Sequence, residues 1–238
     1  MRVSKEGGRS ILKPDISKLL VCVKSCERDA LNGANQAIYE TWGNWLTTIF
    51  FVGRTNAALT NDTVRLNCPD DYDGLPLKTR EIAKFSLKTK FSNVFLCDTD
   101  SFVVPERLME CGFEQYDYMG LFGEGYDSEG HFDHKISGPW DRKAPDMMMR
   151  DVYPWASGGH GYFLSRQALK LVASTEPTHW AEDFYVGQTL GPAIEAGLLT
   201  SYNHPRFNGY VVDHFSGTGQ NKVYDPQWMR DRYREGLP

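Results

Sequence analysis

The sequence predicts an α/β fold: one open, mostly parallel sheet flanked by helices, in a single domain over residues 18–238 that follows an N-terminal extension of residues 1–17. Three observations predict it. Short apolar runs alternate with amphipathic segments in the order strand, helix, strand, helix, strand, the order of a sheet with helices on its faces. The strand runs are continuously apolar, as parallel strands buried on both faces are. One of them, Asn93 to Asp98, runs into carboxylates at a strand end, where open α/β sheets collect their ligands.

Each element has its own warrant. Lys18 to Ser25 is a short β-rich run and forms the first strand. Asn35 to Trp45 places Ala37, Ile38, Thr41, Trp42 and Trp45 at spacings of three and four, one apolar face of a helix that Gly43 weakens near its end. Leu46 to Val52 is the second strand, Asp73-Gly74 a turn, and Leu75 to Lys90 a helix punctuated by Leu77, Ile82, Phe85 and Leu87. After the strand that ends at Asp98 and Asp100, Pro105 to Cys111 is a short helix with proline in its first turn. Tyr116 to Phe122 is a further strand. Residues 123–151 are rich in Gly, Asp, His and Pro without periodicity and read as a functional loop, an acceptor-side rim or lid. Ser165 is placed to cap a helix that starts at Arg166, Glu182 and Asp183 open another, and the stretch from Gln220 to Pro238 reads as a helix over the sheet.

Composition sets bounds. With 238 residues, 41% hydrophobic and 24% charged, the chain has room for one large core, and 13% aromatics suit pockets that stack rings. A net charge of −5 gives no overall attraction to a polyanion, so nucleic acid is disfavoured unless a local basic patch admits it. Five cysteines, an odd number without dense spacing, read as reduced thiols, and no His/Cys cluster completes a zinc set. No run of 18 apolar residues and no leader is visible, so no membrane span is expected and a soluble, cytoplasmic protein is.

Four clusters carry chemistry. Asp98-Thr99-Asp100 offers two short carboxylates at a buried strand terminus, hard oxygen ligands that suit Mn²⁺ or Mg²⁺ carrying the diphosphate of a nucleotide sugar. The same spacing also occurs in a plain strand-to-loop turn, so the flanks must decide. Ser157 to Ser165 sets Gly158, Gly159 and Gly161 around His160, letting backbone approach a ligand closely, or else forming a bulge that serves packing. Glu182 and Asp183 either simply complement a helix dipole or supply a general base for an acceptor hydroxyl. Asp213-His214 ends an apolar run before a Gly-rich loop closed by Lys222; His214 would complete the metal site of Asp98 and Asp100, and Lys222 would hold the diphosphate, unless the imidazole is satisfied locally.

In this order the clusters resemble the β-1,3-glycosyltransferases of family 31, including the Fringe and core-1 galactosyltransferase branch. Leu19 to Cys26 looks like the family's first strand, and Gln36 to Gly43, ending Glu-Thr-Trp-Gly, is similar to its first helix. Leu75-Pro76-Leu77-Lys78-Thr79 looks like its Leu-Thr-x-Lys-Thr helix, Asp98-Thr99-Asp100 like its metal motif, Ser157 to Ser165 like its Ser-Gly-Gly-x-Gly-Tyr-x-Leu-Ser, and Glu182 to Gly187 like its Glu-Asp-Val-x-x-Gly. The resemblance spans residues 18 to about 200.

It implies a GT-A fold, a UDP-sugar donor, Mn²⁺ (or Mg²⁺), a carbohydrate or glycoconjugate acceptor, and inverting transfer. Carried over residue by residue, the catalytic candidates are Asp183 as base with Glu182 beside it, and the metal ligands are Asp98 and Asp100. The donor-binding candidates are Asp98, Thr99, Gly158, Gly159, Lys78 and Lys222. The stretch from His214 to Lys222 is more similar to the closing loop of glycogenin-like GT-A enzymes. The chain departs from the family in having no membrane anchor or paired cysteines, and in carrying Asn35 and Tyr39 where basic residues are usual, which favours a compact cytoplasmic form. Two other functions are open on the sequence: transfer to a hydroxylated base in DNA, and a catalytically silent GT-A-fold binding domain.

Overall fold

Apolar β-branched and aromatic runs form the sheet, and their alternation decides which helices cover each face. The structure, a computed structural model, describes residues 16–60, 62–141, 144–215 and 224–236. In chain order its elements are β1 (Leu19–Lys24), α1 (Glu27–Leu31), α2 (Ala34–Thr41), β2 (Thr48–Val52), β3 (Thr63–Arg65), α3 (Leu75–Ser86), β4 (Asn93–Asp98), β5 (Ser101–Val103) and α4 (Pro105–Glu110). They continue with β6 (Tyr118–Gly120), β7 (Ile136–Asp141), β8 (Ala144–Val152), β9 (Tyr162–Ser165), α5 (Arg166–Ser174), α6 (Glu182–Glu195), β10 (Ser201–Asn203), β11 (Val212–His214) and α7 (Pro226–Glu235).

Seven strands pair in the order β10-β6-β9-β4-β1-β2-β3. The sheet is mixed and largely parallel: β9 runs antiparallel to both β4 and β6, and the other pairs are parallel. Alternation along β1 and β4 sorts the core into two layers. Leu20, Cys22, Val94 and Leu96 meet α3, α5 and α6 through Ile82, Leu169 and Val186. Leu19, Val21, Val23, Phe95 and Cys97 meet α2, α4 and α7 through Ile38, Leu108 and Met229. Two-sided burial is why the strands read as unbroken apolar runs.

The predicted helix over Asn35–Trp45 ends at Thr41, and a 3-10 turn over Gly43–Trp45 follows. A Cβ at Gly43 would stand 2.8 Å from the Ile38 side chain, so the tighter turn needs glycine there. Ser165 caps α5, its Oγ accepting from the backbone N–H groups of Gln167 and Ala168. One expectation needs correction. Residues 123–151, read as a loop without periodicity, hold most of an antiparallel hairpin of β7 with β8. Register shifts between Ile136 and Gly138 and between Pro139 and Asp141 break the alternation that would have revealed it. The C-terminal helix, expected over the sheet, packs beside α2 in the layer that covers this face, with Met229 fully buried there.

The five cysteines are free thiols. Among the described residues no helix is long and apolar enough to cross a membrane. Residues 1–15, most of the expected N-terminal extension, lie outside the described residues, as do Lys222 and its Gly-rich loop.

Candidate active site

The site is built on the carboxyl ends of β1 and β4, which lie side by side with Lys24 in register with Asp98. They open on a cavity of about 410 Å³ whose walls include Lys24, Arg28, Lys78, Asp98, Asp100 and Tyr224. Lys24 is buried, and its Nζ lies 3.2 Å from Asp98 Oδ1 and 2.8 Å from Glu182 Oε2. Burial opposes its charge, but the carboxylates of Asp98 and Glu182 more than offset that and raise its pKa. For Asp98, burial and then the neighbouring charges of Asp100 and Glu182 outweigh Lys24 and hold the carboxyl above its ordinary value.

A short antiparallel ladder supplies the imidazole. β11 pairs with β5 so that His214 faces Ser101, which brings His214 Nε2 within 3.3 Å of Asp100 Oδ1. Burial lowers the His214 pKa, yet Asp100 and then Asp98 reverse the sign and leave it raised. Beside it stands His160, whose ring is 5.3 Å from that of His214 and whose Nδ1 shares a hydrogen bond with Ser157 Oγ at 3.0 Å. Burial, then the charge of His214, lowers the His160 pKa.

These donors suit a hard or borderline divalent ion. Two ligands held cis on one octahedral ion at about 2.1 Å each lie about 3 Å apart, close to the Asp100–His214 separation. Asp98, the third expected ligand, is directed at Lys24, and among the described residues no three His, Cys, Asp or Glu side chains converge as a complete metal group.

Gly158 and Gly159 join the two sides of the site. A Cβ at Gly159 would stand 2.6 Å from His214 Nε2, and one at Gly158 would stand 2.8 Å from Glu182 Oε2, so neither position has room for a side chain. Ser101 Oγ donates to the Gly159 carbonyl at 2.7 Å, and the Gly158 N–H donates to Asp183 Oδ2 at 3.3 Å. Asp183, half-buried at the start of α6, also accepts from the N–H of Phe184 at 2.8 Å. Burial, then the adjacent Glu182, raises its pKa against those donors.

Glu182, a catalytic candidate in the sequence, is buried with both oxygens engaged. Oε1 accepts from Thr79 at 2.9 Å and from the Tyr162 hydroxyl, and Oε2 accepts from Lys24. It anchors the Lys24 ammonium from a helix away. Lys78 lines the cavity, but its Nζ is held by Asp70 at 2.9 Å and by the Ser25 carbonyl. Thr99 is buried and donates to Asp29 Oδ2 at 2.7 Å. The sequence reading missed Lys24, Asp29, Asp70 and Tyr224. One signal was available for Lys24: a single charge closing an apolar strand, as Asp98 closes its neighbour.

A mixed, largely parallel sheet with this crevice at its strand ends is the framework of a GT-A-like glycosyltransferase. Residues 28–194 match the galactosyltransferase family, and the chain belongs to it. The protein is therefore a glycosyltransferase, an enzyme of sugar transfer. The matched region takes in Asp98, Asp100, Gly158, Gly159 and Asp183 and stops short of His214. No curated protein sequence matches the chain. Among solved structures, the inositol-1-phosphate CTP transferase from T. maritima is similar at 11% identity and a TM-score of 0.46, over 94% of this chain and 99% of that one. A197 from STIV is similar at 13% identity and a TM-score of 0.39, over 78% of this chain and 80% of that one.

Proposed function

We propose that the protein transfers a sugar from a UDP-sugar to a hydroxyl of a carbohydrate or glycoconjugate acceptor, with inversion and with Mn²⁺ or Mg²⁺. The observation that supports this best is the layout across Gly158 and Gly159: the Asp100–His214 pair on one side and the Asp183 carboxylate on the other. A divalent cation held by Asp100 and His214, with Asp98 near, would supply positive charge for the departing diphosphate.

The remaining work falls to the chain's own groups. Asp183 accepts the proton of the acceptor hydroxyl as that oxygen forms its bond to the anomeric carbon and the bond from that carbon to the diphosphate oxygen breaks. Its raised pKa makes it a stronger proton acceptor than an exposed carboxylate. Inversion requires one such carboxylate, and Glu182, with both oxygens engaged, holds Lys24 in place instead.

Protein incubated with Mn²⁺ and a panel of UDP-sugars, with and without glycan acceptors, should release UDP, and NMR of the product should show the opposite anomeric configuration to the donor. Asp183→Asn should lower transfer by about 10²-fold or more while UDP affinity holds. Transfer by that variant within a few-fold of wild type would remove Asp183 from the role.

A further inference from the structure

One residue of the cavity wall carries a donor with nothing to donate to. Tyr224 lines the cavity, and its hydroxyl is buried without a hydrogen-bond partner among the described residues. The two carboxylates of the cavity wall whose charge it senses are turned to other donors: Asp29 receives Arg28 Nε on one oxygen at 2.9 Å and Thr99 on the other, and Asp100 Oδ1 faces His214. The ring itself is fixed, packed edge-on to Phe215 at 5.6 Å and Trp228 at 6.3 Å, so the hydroxyl does not swing out to water without breaking that aromatic cluster. Burial and the charges of Asp100 and Asp29 raise its pKa, so it stays a protonated donor throughout the neutral range. A buried, unused donor of this kind destabilises a fold and calls for an acceptor from outside the chain, which on a cavity wall a bound molecule can supply.

The neighbouring wall says which kind of acceptor. Arg28 spends one of five guanidinium hydrogens on Asp29, lines the same cavity, and senses the same two carboxylates, Asp29 and Asp100, as Tyr224 does. A donor hydroxyl and an arginine beside a cation-binding pair suit an anion with several oxygens.

We propose that Tyr224 binds the diphosphate of the nucleotide donor, giving its hydroxyl hydrogen to a phosphate oxygen with Arg28 as its charged partner. This rests on the UDP-sugar reading above and adds to it a residue of the C-terminal segment, beyond the family match.

Tyr224→Phe removes the hydroxyl and keeps the ring. Calorimetry with Mn²⁺ should show UDP binding weakened roughly ten- to hundredfold, the effect of one hydrogen bond to a charged group, with uridine binding unchanged. The melting temperature of the ligand-free variant should stay level or rise, since only an unsatisfied group is lost. Unchanged UDP affinity, or an equal loss for uridine, would overturn the proposal while leaving UDP-sugar use standing. A falling melting temperature with unchanged UDP affinity would mark the hydroxyl as structural and also overturn it. Wild-type protein that binds no UDP would remove both readings together.

Discussion

Lys24 shows how a single side chain can hold a charged site inside an apolar sheet. Its ammonium is 1% exposed and lies between Glu182 and Asp98, so each carboxylate depends on it for compensation. Removing one member of a buried ion pair leaves an uncompensated charge. Lys24→Met should therefore cost about 3–5 kcal/mol in urea unfolding, whereas adding Glu182→Gln to it should recover part of the loss. A loss under about 1 kcal/mol in the single variant would mean that solvent already compensates Glu182. Residue patterning makes part of this site legible. Asp98 and Asp100 stand out because carboxylates interrupt an apolar run, and Asp183 because it opens a helix. The Lys24–Glu182 bond spans 158 residues, and only the register of β1 with β4 brings Lys24 to Asp98. No local pattern encodes that.

Between elements, Asp70 acts as a pin. Its carboxylate accepts from the N–H of Glu27 at 2.7 Å, the N–H of Gly53 at 2.5 Å and Lys78 Nζ at 2.9 Å, tying α1, the end of β2 and α3 to one loop beneath the cavity. Burial works to raise its pKa, but the Glu27, Lys78 and Gly53 donors prevail and lower it. A carboxyl with a lowered folded-state value contributes stability above the unfolded value near 3.9, and that stability fades as pH falls through the folded value. Asp70→Asn should thus lose about 2–4 kcal/mol at pH 7, and the gap to wild type should narrow below about pH 4. Urea midpoints at several pH values test this, and a gap that does not change with pH would refute it. The elements themselves were mostly legible. β1, β2, α3, β4, α5 and α6 announce themselves by their apolar patterning, α5 also by its Ser165 cap, while β3 and β10, three residues each, carry too few positions to show a period. The β7–β8 hairpin is hidden by its own irregular register.

At the scale of the molecule, the cavity sits where the chain reverses its course across the sheet. From β1 the chain moves outward to β2 and β3, then returns to place β4 on the other side of β1. The loops leaving β1 and β4 therefore part in opposite directions and open a crevice at the strand ends, the usual ligand position in open α/β sheets. Ligand there bridges both halves of the sheet and must stabilise the whole fold by mass action. At a hundred times its dissociation constant the gain is about 2.7 kcal/mol, which for a chain of this size is roughly 5–10 °C in melting temperature. UDP with Mn²⁺ should produce a shift of that order in wild type. Asp100→Asn keeps the side chain's shape, removes a charge that repels Asp98, and gives up a part-exposed contact with His214, so its ligand-free stability should stay within about 1 kcal/mol. The Mn²⁺-dependent part of its shift should vanish. A metal-dependent shift of equal size in both proteins would place the ion away from the end of β4, and the reversal of strand order would then mark a crevice without the cation.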